Sequence, residues 1–126
     1  MAARKRVVID TDVAIGIAER DVDDALAIVM AVNSQALDVC GITLTYGNDT
    51  LENVERCMSE LSSVVGLSKV EMAAGASSSD DLDRRTGATF LFERVARDGA
   101  MTVLCLGPAT NLATFVEGDK ELASRD

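Results

Sequence analysis

At 126 residues the chain has room for one domain, and a domain of this size buries roughly two-thirds of the surface its unfolded chain exposes. With 48% hydrophobic and 26% charged residues it is expected to pack a core, which excludes disordered and collagen-like sequences. The 12 basic residues against 21 acidic ones leave a net charge of -9, and the chain holds 3% aromatic residues and no Trp, so the footprints of nucleic-acid and anionic-membrane binding are both missing.

The basic start, Met1 to Arg6, runs straight into a strand-like segment, and no stretch approaches the roughly 18 apolar residues that span a bilayer. A cytoplasmic protein without a signal peptide is expected. Cys40, Cys57 and Cys105 are odd in number and sit in apolar segments, which fits reduced, buried thiols better than a disulfide framework. The absence of His from the chain excludes a Ser-His-Asp triad, a Cys-His pair and a His-ligated zinc within it.

In chain order, Val7-Val8-Ile9 is a β-branched run that stops at Asp10-Thr11-Asp12, the pattern of a buried strand ending in a polar loop. A helix is predicted from Asp21 to Asp24 onward, with Asp21 as its N-cap, and Ala25 to Val32 is apolar all round and expected to be covered. Val39 to Thr45 reads as the second strand, ending at Tyr46-Gly47-Asn48. Thr50 then caps a helix with the stripe Leu51, Val54, Met58, Leu61 and Val65, stopped by Gly66. The third strand is expected at Val70 to Ala74, a helix from about Thr86 to Arg97, and the fourth strand at Met101 to Leu106. Pro108 is placed in the first turn of a last helix reaching about Val116.

This β-α alternation predicts an α/β fold, an open and mostly parallel sheet with right-handed crossovers, and no internal repeat or domain boundary. Asp10 to Asp12, Asn48, Gly75 and Leu106-Gly107 then fall just past the carboxyl ends of successive strands, the edge where open α/β sheets bind ligands. Asp10, Asp12, Asp21, Asp23 and Asp24 crowd one strand end and the next helix start. Such carboxylates repel one another unless a hard cation neutralises them, and calcium suits an all-oxygen set better than magnesium. The plainer reading is that some of them complement a helix N-terminus while others bond loop amides. Gly107-Pro108-Ala109-Thr110-Asn111 leads into a helix but lacks the lysine and glycine spacing of a phosphate loop.

Asp10-Thr11-Asp12, Asp23-Asp24-Ala25-Leu26-Ala27, Thr45-Tyr46-Gly47-Asn48 and Leu106-Gly107-Pro108-Ala109-Thr110-Asn111-Leu112-Ala113, in that order, resemble the inosine-uridine preferring nucleoside hydrolases. The resemblance runs from Val7 to about Ala123 and implies that residues 1–126 are the N-terminal portion of a longer single domain. It implies an N-ribohydrolase that splits base from ribose with calcium-activated water. By motif position Asp12 resembles the residue that ligates Ca2+ and takes the proton of the attacking water. Asp24 resembles the second carboxylate ligand, and Leu106 the residue that lends a backbone carbonyl. Asp23 and Asn48 resemble the ribose-binding residues, and Asp10 a carboxylate that holds the loop behind them. The loop between Asp12 and Asp23 is longer than the compact form of the motif.

The expected partner is a small ribonucleoside, with no nucleic acid and no membrane, and homo-oligomerisation is left open. The resemblance further implies that the final aspartate ligand and other sugar-contacting residues lie past the matched part, so the isolated chain is expected to be an incomplete enzyme with an exposed edge beside its fourth strand. The alternative expectation is a binding or assembly module without catalysis. A haloacid dehalogenase-type phosphatase shares Asp10-Thr11-Asp12-Val13 but needs a suitably placed lysine and a later acidic pair, and a response-regulator receiver needs an aspartate where Ala74-Gly75 stands.

Overall fold

A computed structural model describes residues 3–20, 22–83 and 85–124. The chain runs β1 (Lys5–Thr11), α1 (Asp23–Asn33), β2 (Leu37–Leu44), α2 (Leu51–Val65), β3 (Met72–Ala74), α3 (Gly87–Asp98), β4 (Thr102–Cys105), α4 (Thr110–Gly118) and α5 (Lys120–Ala123). All strand pairings are parallel and the order is β3-β2-β1-β4, so the α/β expectation holds. Among the described residues no helix is long and apolar enough to cross a membrane.

Alternation along β1 divides the core between the two faces of the sheet. Val7 and Ile9 join Ile42 and Leu44 of β2 beneath Ala25, Ile28 and Ala31 of α1 and Val54, Met58 and Leu61 of α2. On the opposite face Val8 packs with Leu91, Phe92 and Val95 of α3, Phe115 of α4 and Leu122 of α5, where the rings of Phe92 and Phe115 stack at 5.5 Å. Thus α1 and α2 cover one side while the helices following β3 and β4 cover the other. The chain steps outward from β1 to β3 and then returns to place β4 on the far flank of β1. The strand order reverses between β1 and β4, and it is at the carboxyl ends beside such a reversal that α/β sheets bind ligands.

Local caps behave as the sequence predicts for α2, where Thr50 Oγ1 accepts from the Asn53 amide at 3.2 Å and Gly66 closes the helix with φ 75°. Elsewhere the chain differs. Helix α1 begins at Asp23 with Val22 at its N-cap and no side-chain cap bond, and the predicted cap Asp21 lies outside the described residues. Pro108 precedes α4 by two residues instead of sitting in its first turn, and its ring lies close to Gly47. β2 starts earlier than expected, β3 and β4 are shorter, and α5 follows α4 where no further helix was expected.

The outer side of α1 is not covered as its composition led one to expect. Leu26 is 62% and Met30 73% exposed, since only the opposite side of the helix, with Ala25, Ile28 and Ala31, meets the sheet. All three cysteines are free, but only Cys57 is buried. Cys40 is half-buried and Cys105 is exposed, because it stands on β4 at the sheet edge.

Candidate functional site

The polar residues at these strand ends separate into two layers. The inner one is built on Asp10, fully buried at the end of β1. Its Oδ1 accepts from Thr43 Oγ1 at 2.5 Å and from Asn111 Nδ2 at 2.9 Å. Asn111 also donates to the Leu44 carbonyl at 3.1 Å and accepts from the Ala76 amide at 2.7 Å, so one amide side chain joins the ends of β1 and β2 to the loop after β3. Gly75 makes room for this, because a Cβ there would overlap the Asn111 carboxamide. Burial pushes the Asp10 carboxyl up despite its hydrogen bonds, and burial likewise raises the neighbouring Cys105 thiol.

The outer layer pairs Asp12 with Asp24. Asp24 Oδ2 accepts from Thr11 Oγ1 at 2.6 Å and from the Asp12 amide at 3.3 Å, which docks the first turn of α1 onto the end of β1. Asp12 Oδ2 accepts from the Asn48 amide at 2.8 Å. Burial, together with the adjoining Asp24 carboxyl, pushes Asp12 up to about 6, and the Asn48 amide only partly opposes this. Two glycines let the loops close on Asp12. At Gly47, with φ 145°, a Cβ would overlap Asp12 Oδ2 and the Pro108 ring, and at Gly107 it would lie 3.0 Å from Asp12 Cγ. A salt bridge from Arg20 to Asp49 at 3.0 Å ties the long loop after Asp12 to the segment that opens α2.

The five-carboxylate cluster expected from the sequence therefore resolves into one close pair. Asp12 and Asp24 come together. Asp10 is engaged with Thr43 and Asn111, Asp23 is exposed in the first turn of α1, and Asp21 lies outside the described residues. Asn48 sits beside Asp12 through its backbone amide. Leu106 follows β4 with its amide bonded to the Asp10 carbonyl at 2.8 Å, and its side chain packs against the α1 and α2 side of the core. Among the described residues no group of three or more His, Cys, Asp or Glu side chains converges as a metal cluster. The two side chains that do adjoin, Asp12 and Asp24, offer carboxylate oxygens, the donor type that hard divalent cations take. Thr43 and Asn111 were not assigned roles from the sequence. Asn111 lay within a quoted motif, but its partners stand 101 and 67 positions away, a distance no local pattern reports.

Comparison with known proteins bears on the family and the fold. The family model for the inosine-uridine preferring nucleoside hydrolases matches residues 7–125. The chain is 28% identical to Uridine nucleosidase 1 of Arabidopsis thaliana over 99% of this chain and 44% of that protein, and 31% identical to Probable uridine nucleosidase 2 of the same plant over 95% and 44%. Among solved structures it superposes on a plant nucleoside hydrolase, the PpNRh1 enzyme, with a TM-score of 0.81 at 28% identity, covering 98% of this chain and 46% of that one. The chain thus spans less than half the length of the relatives it matches.

Proposed function

Because the chain belongs to the inosine-uridine preferring nucleoside hydrolase family, we propose that its acidic rim is the calcium- and sugar-binding part of a site that hydrolyses the N-glycosidic bond of ribonucleosides. The observation that carries this reading is the Asp12–Asp24 pair at the β1/β4 reversal of strand order. Asp12, Asp24 and the Leu106 carbonyl would hold Ca2+. When bound, that cation makes a water easier to deprotonate and offers a charge to sugar hydroxyls.

The chain's own groups supply the rest. Asp12, held by the Asn48 amide at the end of β1, is the carboxylate placed to accept a proton from water as the general base. The Asn48 amide orients that carboxylate, and Thr11 with the Asp12 amide fixes Asp24 beside it. Asp23, exposed at the start of α1, and Asn48 receive the ribose hydroxyls. Loss of the base leaves positive charge on the sugar ring, and the carboxylates at the rim stabilise it. Asp10 takes no direct part and holds the strand ends together through Thr43 and Asn111.

The test is release of ribose from uridine and from inosine by the purified chain with calcium. Uridine comes first because the two Arabidopsis relatives carry uridine in their names. Calcium-dependent release that Asp12→Asn cuts by about 100-fold or more supports the reading, and release that Asp12→Asn leaves unchanged contradicts it. A second reading, a module that binds a partner without catalysis, draws on the exposed sheet edge at β4, where Leu104 and Cys105 face solvent. Saturable binding of ribose to the acidic rim argues against it.

A further inference from the structure

Helix α1 starts without a side-chain cap: Val22 stands at its N-cap, and the first link back, from the Leu26 amide to the Val22 carbonyl, is long at 3.4 Å. An uncapped first turn leaves amides unsatisfied and loosens easily. Asp24 in that turn is fixed to β1 by Thr11 and the Asp12 amide, while Asp23 beside it is exposed. The place of Asp23 therefore depends on what anchors the chain ahead of the helix.

The loop leaving Asp12 supplies such an anchor. Val13 and Ala14 are buried, and turn bonds at 3.3 Å run from the Ile17 amide to the Ala14 carbonyl and from the Arg20 amide to the Ile17 carbonyl. Glu19, with φ 63°, is the one non-glycine residue in the left-handed region among the described residues. L side chains take that conformation at a cost, and such strain persists where the surroundings hold it and a site uses the geometry. It lies directly ahead of Arg20, whose Nε donates to Asp49 Oδ2 at 3.0 Å.

Asp49 is a firm point to hold. Its Oδ1 accepts from the Thr50 amide at 2.7 Å and from Asn53 Nδ2 at 2.8 Å, and its carbonyl accepts from the Gly47 amide at 3.0 Å. Asn48 lies inside that last link, with its own amide on Asp12. Arg20 thus ties the turn that carries Asn48 to the segment that reaches Asp23 three residues later.

We propose that Arg20 is a positioning residue for the sugar side of the site, its ion pair with Asp49 fixing the uncapped start of α1 so that Asp23 and Asn48 engage one ribose together. The proposal rests on the reading of those two as ribose-binding residues. The cation side is independent of the pair, because Asp24 is tied to β1 through Thr11 and the Asp12 amide.

Calcium is titrated calorimetrically into the chain, Arg20→Gln, Arg20→Lys, Asp49→Asn and the Arg20→Gln/Asp49→Asn double variant, and ribose is then titrated in saturating calcium and followed by amide NMR. Asp49→Asn removes the charge and leaves an oxygen for the Thr50 amide and Asn53. The expected result is parent-like calcium affinity throughout, ribose bound about fivefold more weakly by Arg20→Gln and by Asp49→Asn, no further loss in the double variant, and affinity close to the parent's in Arg20→Lys, which keeps the charge. Parent-like ribose affinity in Arg20→Gln overturns the proposal and leaves the calcium and sugar reading standing. Losses that add in the double variant overturn it as well, since the two residues would then act separately. Calcium affinity that falls with ribose affinity in Arg20→Gln also overturns it, because a general loosening of the rim would be the cause. A parent chain that binds calcium without ribose, or neither, overturns the reading of the rim and the proposal with it.

Discussion

Asp12 and Asp10 stand two residues apart on one strand end and meet different fates because of what faces them. Asp10 is enclosed by Thr43 and Asn111, whereas Asp12 meets a second carboxylate and an amide. In the cation-free chain Asp12 is raised from the ordinary carboxylate range to about 6. Between about pH 4 and 6 the folded chain then holds more protons than the unfolded one, so this group makes stability decline as pH rises through that window. Asp24→Asn removes the neighbouring carboxylate, and the Asp12 carboxyl resonance is expected to titrate closer to about 4 in an NMR pH series. Asn111→Leu leaves the Ala76 amide and the Leu44 carbonyl without their partner and strips Asp10 of a donor. It is expected to destabilise the chain by about 3 kcal/mol in urea unfolding. At this scale the sequence made Asp12 and Asp24 legible because each lies in a compact local motif. The inward engagement of Asp10 was fixed by residues 33 and 101 positions away, which a linear reading does not place.

Among the elements, α2 shows how closely local chemistry predicts structure. Its cap, apolar stripe and glycine stop are each visible in the sequence, and Thr50→Ala is expected to cost about 1 kcal/mol through the lost cap. Just before it, Asp49 gathers the Asn53 side chain, the Thr50 amide and Arg20, which hold its carboxyl down to about 2. A depressed carboxylate stabilises the fold above its unfolded value, near 4, and that contribution is lost as pH falls toward 2. Asp49→Asn is therefore expected to flatten the acid side of the urea-midpoint profile between those values. Helix α1 resisted the same treatment. Its apolar residues run all round, so composition implied full cover, and the exposure of Leu26 and Met30 follows from how many neighbours the sheet provides on that side. Pro108 likewise stands two residues ahead of α4, close to Gly47 across the rim, a long-range neighbour that a local helix pattern does not report.

At the scale of the whole molecule, strand order does most to make a site. Alternating β and α segments were enough to predict a parallel sheet, but not that β4 would lie beside β1 and bring Gly107 against Asp12. The four quoted motifs are scattered along the chain and converge only through that arrangement. The amide of Asn48 offers a direct probe of the result, since it donates to Asp12 at 2.8 Å. The decisive measurement is an amide proton–nitrogen NMR titration of the intact chain with calcium and then with uridine. The account predicts saturable shifts at Asn48, Asp12, Asp24 and Gly107 on adding calcium, and a second set including Asp23 on adding uridine. Spectra that do not move, or that move only at residues remote from the β1 and β4 ends, would contradict it.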